Sequence, residues 1–166
     1  MSFLNPDEAV KEFGLKPGMV VADFGCGAGY FSLALAKEVG SQGRVYAIDI
    51  QKEVLEVVRN RSKSRHFSNI STIRADLETA GSSKLKDELA DFVLIANILF
   101  QAEDKTAVVR EARRILKSKG RLAAIESYGR LSREETEKLF LSAGFVLNKE
   151  IFKVGQDHYL VLFEKV

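Results

Sequence analysis

The sequence holds one cysteine, Cys26, and two histidines, His66 and His158. A single thiol cannot build an internal disulfide framework, and this set is too poor in thiolate and imidazole for a zinc site, so no metal is expected. Long apolar runs are also missing. None approaches the ~20 residues needed to span a bilayer, and the opening MSFLNPDEAVKEF has acids where a signal peptide has its basic segment. Membrane insertion is therefore not expected, and a cytoplasmic protein is. Neither sign of charge dominates: the net charge is +2, so any nucleic-acid argument must rest on where the charges sit.

What is present suffices for a self-supporting core. A chain of 166 residues, 46% of them hydrophobic, can bury roughly 70% of its unfolded surface without staples. No repeat, linker or low-complexity segment interrupts it, so one domain over residues 1–166 is expected. Asn5 as cap, Pro6 and Glu8 in the first turn and Gly14 past the end predict a short helix over residues 5–13. Met19 to Phe24 is a β-branched apolar run that reads as a strand buried on both faces. Helical spacing over Tyr30 to Val39, then Arg44 to Ile48 ending at Asp49, completes a strand-helix-strand unit. The unit repeats with a helix over 51–60 and a strand from Ile70 to Arg74 leading to Asp76.

A loop at Gly81-Ser82-Ser83 precedes a fourth strand, Asp91 to Ala96. Val108, Val109, Ala112, Ile115 and Leu116 form an amphipathic stripe on a helix expected to end at Gly120. Arg121 to Glu126 is a fifth strand. Ser132 with Glu135 makes a capping box for a helix that carries Leu139 and Phe140 and stops at Gly144. Phe145 to Phe152 and His158 to Lys165 are β-rich, and Val154 to Asp157 is too short for a crossover helix, so the last strand should run antiparallel. Alternating units of this kind predict an α/β doubly wound sheet with helices on both faces. Such sheets bind ligands at the carboxyl ends of their strands.

The segment VVADFGCGAGYFS sets Gly25, Gly27 and Gly29 in the first strand-to-helix turn, where glycine permits positive φ and close approach of a ligand to the backbone. A dinucleotide fingerprint needs G-x-G-x-x-G, but the third glycine falls one residue early and Tyr30 stands in its place, which disfavours NAD. Asp49 can accept both hydroxyls of a ribose, and Asp76 can meet the amino edge of an adenine; either could instead be a helix or turn cap.

With these residues in view, the chain resembles class I S-adenosylmethionine-dependent methyltransferases, nearest the ubiquinone and menaquinone biosynthesis branch. ADFGCGAGYFS, AIDI, RADLE, ADFVLIANILFQ and ILKSKGRLAAIE are similar to successive family motifs, and FLSAGF with HYLVLFEK to the closing helix and strands. The resemblance implies a Rossmann-like seven-stranded sheet in the order 3-2-1-4-5-7-6 with S-adenosylmethionine as cofactor. It further implies that Asp23, Gly25, Gly27 and Gly29 hold the methionine end, Asp49 the ribose and Asp76 the adenine. Ile50 and Leu77 would pack on the adenine faces, and Asn97 would lie beside the sulfonium. The fourth strand runs into Asn97-Ile98-Leu99-Phe100 and lacks the Asn-Pro-Pro-aromatic motif of planar-amide methyltransferases.

Methyl transfer from an activated sulfonium needs orientation more than a base. If the acceptor is a hydroxyl, Glu126, Tyr128, His158 and Tyr159 are the candidates at the carboxyl edge. Only Ser127 to Leu131 join the fifth strand to the final helix, leaving no room for a cap domain. An open site is therefore expected, closed by a large substrate, by a second subunit in a homodimer, or by Phe3, Leu4 and Phe13 as a lid. Arg59, Arg61, Lys63, Arg65 and His66, with Lys117, Lys119 and Arg121, are expected at the opposite edge, which argues against nucleic acid. Asp49, Asp76, Glu78, Glu103, Asp104 and Glu126 at the cofactor edge favour a neutral or cationic acceptor. A small-molecule methyltransferase is expected. A protein or RNA methyltransferase and a non-catalytic S-adenosylmethionine-binding regulator remain alternatives.

Overall fold

The structure, a computed structural model, describes residues 4–151 and 154–166; Phe3 and Phe152 lie outside them. Asn5 accepts the amides of Asp7 and Glu8 and opens α1 (Pro6–Ala9), which tightens into a 3-10 turn (Val10–Phe13) and stops at left-handed Gly14. The main body runs β1 (Val20–Phe24), α2 (Tyr30–Val39), β2 (Arg44–Asp49), α3 (Lys52–Ser64), β3 (Ile70–Arg74) and β4 (Ala90–Ala96). It continues through a 3-10 turn (Leu99–Gln101), α4 (Lys105–Ile115), β5 (Leu116–Ser127), α5 (Arg133–Ser142), β6 (Phe145–Ile151) and β7 (His158–Lys165).

The seven strands form one sheet in the order β3-β2-β1-β4-β5-β7-β6. β1 to β5 pair in parallel, and β7 is antiparallel to both β5 and β6, as the short connection before it requires. The order reverses between β1 and β4, and a crevice opens there at the carboxyl ends. One face packs α4 and α5 through Val109, Ile115 and Phe140; the other packs α1 and α2 through Phe13, Leu35 and Val39.

Phe13 cannot belong to a lid: it is fully buried and stacks on Phe92 near the amino end of β4 at 5.1 Å, and half-buried Leu4 packs on the same cluster. The helix expected to reach Gly120 ends at Ile115. Leu116 is already extended, its carbonyl accepts the Lys165 ammonium at 2.6 Å, and β5 shifts register against β4 here. Gly120 serves this turn, because a Cβ on it would lie 2.8 Å from the Lys117 carbonyl oxygen.

Between β3 and β4 no helix forms; a side-chain clasp holds the connection. The Glu111 carboxylate, almost wholly buried on α4, accepts the Gly81 amide at 3.0 Å and the Ser83 hydroxyl at 2.7 Å. Arg114 pairs with Glu111 at 2.6 Å and also donates to the Leu85 carbonyl and to Asp87. These bonds hold the Glu111 carboxyl at about 2 despite its burial.

Candidate cofactor site

The carboxyl ends of β1 to β4 border a cleft of about 540 Å³, and an adjoining cavity of about 130 Å³ shares Gly25 and Asn97 with it. All nine residues expected to touch the cofactor line one or both. Gly27, Asp49, Ile50, Asp76 and Leu77 line the larger, and Asp23 and Gly29 the smaller. Val54, Gln101 and Ala102 also line the cleft; Gln101 closes the ADFVLIANILFQ motif but had no role given to it, and Val54 and Ala102 lie in no motif. Val54 could have been inferred from its place in the first turn of α3. Gln101 and Ala102 are brought in by a 3-10 turn that has no apolar period.

All three glycines of the loop have positive φ, but they meet different neighbours. A Cβ on Gly25 would fall 2.3 Å from the Ile98 Cγ2 and one on Gly29 would fall 2.8 Å from the Val58 Cγ2. A Cβ on Gly27 would meet nothing within 4 Å among the described residues. Gly25 and Gly29 are thus fixed by packing, whereas the empty side of Gly27 is the cleft itself.

Asp49 Oδ2 accepts the Gly27 amide at 3.0 Å, and Oδ1 accepts the Gln51 amide at 2.9 Å. The carboxylate so anchors the glycine loop to the end of β2, and about two of its four lone-pair positions stay open to the cleft. Asp76 caps its own turn through the Glu78 amide and Thr79 hydroxyl. Asp23 is buried and accepts the Ser32 hydroxyl at 2.6 Å. Burial pushes its carboxyl up to about 7, against the Ser32 bond and with help from the Asp49 charge. Asn97 sits at φ +57, a conformation asparagine tolerates better than most residues, and its amide donates to the Ile125 carbonyl.

The acceptor-side candidates stand apart from the cleft lining. Glu126 is fully buried; its Oε1 accepts the Leu99 amide at 2.8 Å, and its Oε2 has no hydrogen-bond partner among the described residues. Burial pushes its carboxyl up to about 7, opposed by the backbone amides of Leu99 and Ile98 and by the Lys105 charge. The residue grips the turn that carries Gln101 into the cleft wall. Tyr159 is locked by Thr136 and the Leu131 carbonyl, and burial pushes its phenol up to about 12. Half-exposed Tyr128 lies tilted on Tyr159 at 5.1 Å. His158 is held toward its neutral form, chiefly by burial and also by Arg130. Arg130 in turn covers Phe100 at 4.4 Å and ties the β5–α5 connection to the turn after β4.

Arg61 does not keep to the far edge: it lies 4.1 Å over the ring of Tyr30, the first residue of α2. Among the described residues no cluster of side chains could hold a metal ion, and no helix is long and apolar enough to cross a membrane.

A sheet of this order with one reversed strand, and a glycine loop anchored to the acid ending the next strand, define the architecture of class I S-adenosylmethionine-dependent methyltransferases. A family model described as a methyltransferase domain matches residues 15–164, and the chain belongs to that family. It is 31% identical over 118 residues, 71% of its length, to a demethylmenaquinone methyltransferase of Staphylococcus aureus, and 28% identical over 152 residues to that of Staphylococcus saprophyticus. These matches cover 47% and 63% of the two relatives, so the chain spans about half to two thirds of their length. A crystal structure of a SAM-dependent methyltransferase from Aquifex aeolicus superposes with a TM-score of 0.89 at 27% identity, over 98% of this chain and 90% of the other.

Proposed function

We propose that residues 1–166 act as one catalytic domain that transfers a methyl group from S-adenosylmethionine to a small-molecule acceptor. The observation that carries this is the open side of Gly27 above the cleft, with Asp49 fastened beneath it. When bound, the cofactor supplies an activated methyl sulfonium. Asp49 turns its remaining lone pairs to the ribose hydroxyls, and Leu77 and Ile50 cover the adenine, beside Asp76. The first amides of α2 have no side-chain cap and give a positive pole for the carboxylate of the methionine end. Asp23, beneath them, supports the loop through Ser32.

On the acceptor side Glu126 is a positioning residue, because its burial and its bond to Leu99 commit it to the cleft wall. His158, shifted toward its neutral form chiefly by burial and against the charge of Asp157, is the candidate to take a proton from a hydroxyl acceptor. Phe100, Arg130 and Tyr128 offer stacking surfaces to a flat acceptor such as the demethylmenaquinone for which the relatives are named. We place the reaction in the cytoplasm, with the acceptor or a second copy of the chain covering the open cleft. Transfer of labelled methyl to demethylmenaquinol tests the reading; labelling of protein or RNA instead would reassign the acceptor.

A further inference from the structure

A second cavity of about 430 Å³ lies between α4 and α5, outside the cofactor cleft. Its apolar lining is Leu131, Leu139 and Ala143, and three cations, Lys105, Arg110 and Lys138, border it. The one acid there, Glu135, is already engaged by the amide and hydroxyl of Ser132 in the capping box. Lys105 spends its ammonium on the Ala102 carbonyl, but Arg110 and Lys138 make no hydrogen bond or ion pair among the described residues. The volume falls within the roughly 300 to 1,000 Å³ of small-molecule pockets. An apolar floor under unpaired positive charge matches a ligand with a hydrocarbon chain and an acidic head.

We propose that the α4–α5 groove binds a single-chain amphiphile with an anionic headgroup, its chain along Leu131 and Leu139 and its head between Arg110 and Lys138. None of these residues takes part in the cofactor cleft, so the two sites should fill independently.

The test is calorimetric titration of the full chain with dodecyl phosphate below its micelle concentration, with S-adenosylhomocysteine saturating. Dodecyltrimethylammonium and inorganic phosphate are run beside it. Saturable one-to-one binding of dodecyl phosphate alone is expected. It should weaken about tenfold in the Arg110→Gln/Lys138→Gln double variant, and also in Leu139→Asp, with the Kd for S-adenosylhomocysteine unchanged. The proposal is overturned if dodecyl phosphate does not bind, if the ammonium or bare phosphate binds equally well, if S-adenosylhomocysteine displaces it, or if the double variant binds as tightly. A folded chain that fails to bind S-adenosylhomocysteine would count against the methyltransferase reading and not against this groove.

Discussion

Gly25 and Gly27 share a backbone conformation but answer to different constraints, which makes them a matched pair of probes. Gly27→Ala adds a methyl group to open space at a φ of +50°, so the fold should survive with a loss of about 1 kcal/mol while cofactor affinity drops at least about tenfold. Gly25→Ala drives a Cβ into Ile98 and should lower the melting temperature sharply, whether or not cofactor is present. Melting curves and titrations of both variants check this; equal behaviour would remove the distinction. Asp49→Ala should weaken binding by about 2 to 4 kcal/mol, since ribose hydroxyls and the Gly27 amide lose one charged acceptor. An unchanged Kd would leave Asp49 as a loop anchor only. The glycines and Asp49 were legible in the sequence because their chemistry is local to one turn. The part played by Glu126 was not: it depends on an amide 27 positions away, in the 3-10 turn that follows β4.

At the scale of elements, the legible parts were those with a local cause. The β-branched runs gave the buried strands, the capping box of Ser132 and Glu135 gave the start of α5, and a four-residue connection gave the reversed last strand. Two features escaped because tertiary contacts decide them. α4 stops at Ile115 because the Leu116 carbonyl is claimed by Lys165, and the loop expected before β4 is held by the clasp of Glu111 and Arg114. Removing Arg114 would strand the buried Glu111 charge, so Arg114→Met should cost about 3 kcal/mol in a denaturant titration. It should also loosen the connection that leads from Leu77 and so weaken cofactor binding. A loss below about 1 kcal/mol would mean the clasp is incidental.

For the whole molecule, two buried acids set the response to pH. Asp23 and Glu126 both titrate near 7 in the folded chain, well above their unfolded values, so folding holds protons there that the unfolded chain releases. Their stabilising protons are fully present below about 4 and are lost as pH rises through 7. The melting temperature should therefore fall between pH 5 and pH 8, and Glu126→Gln should flatten part of that fall; a rise over the same range would contradict the burial argument. The acidic cofactor edge, the open cleft and the family membership converge on one ligand. Calorimetric titration of the intact chain with S-adenosylmethionine, S-adenosylhomocysteine and NAD tests that claim most directly. One-to-one binding of both sulfur ligands with no heat from NAD is predicted, and binding of NAD without either of them would contradict it.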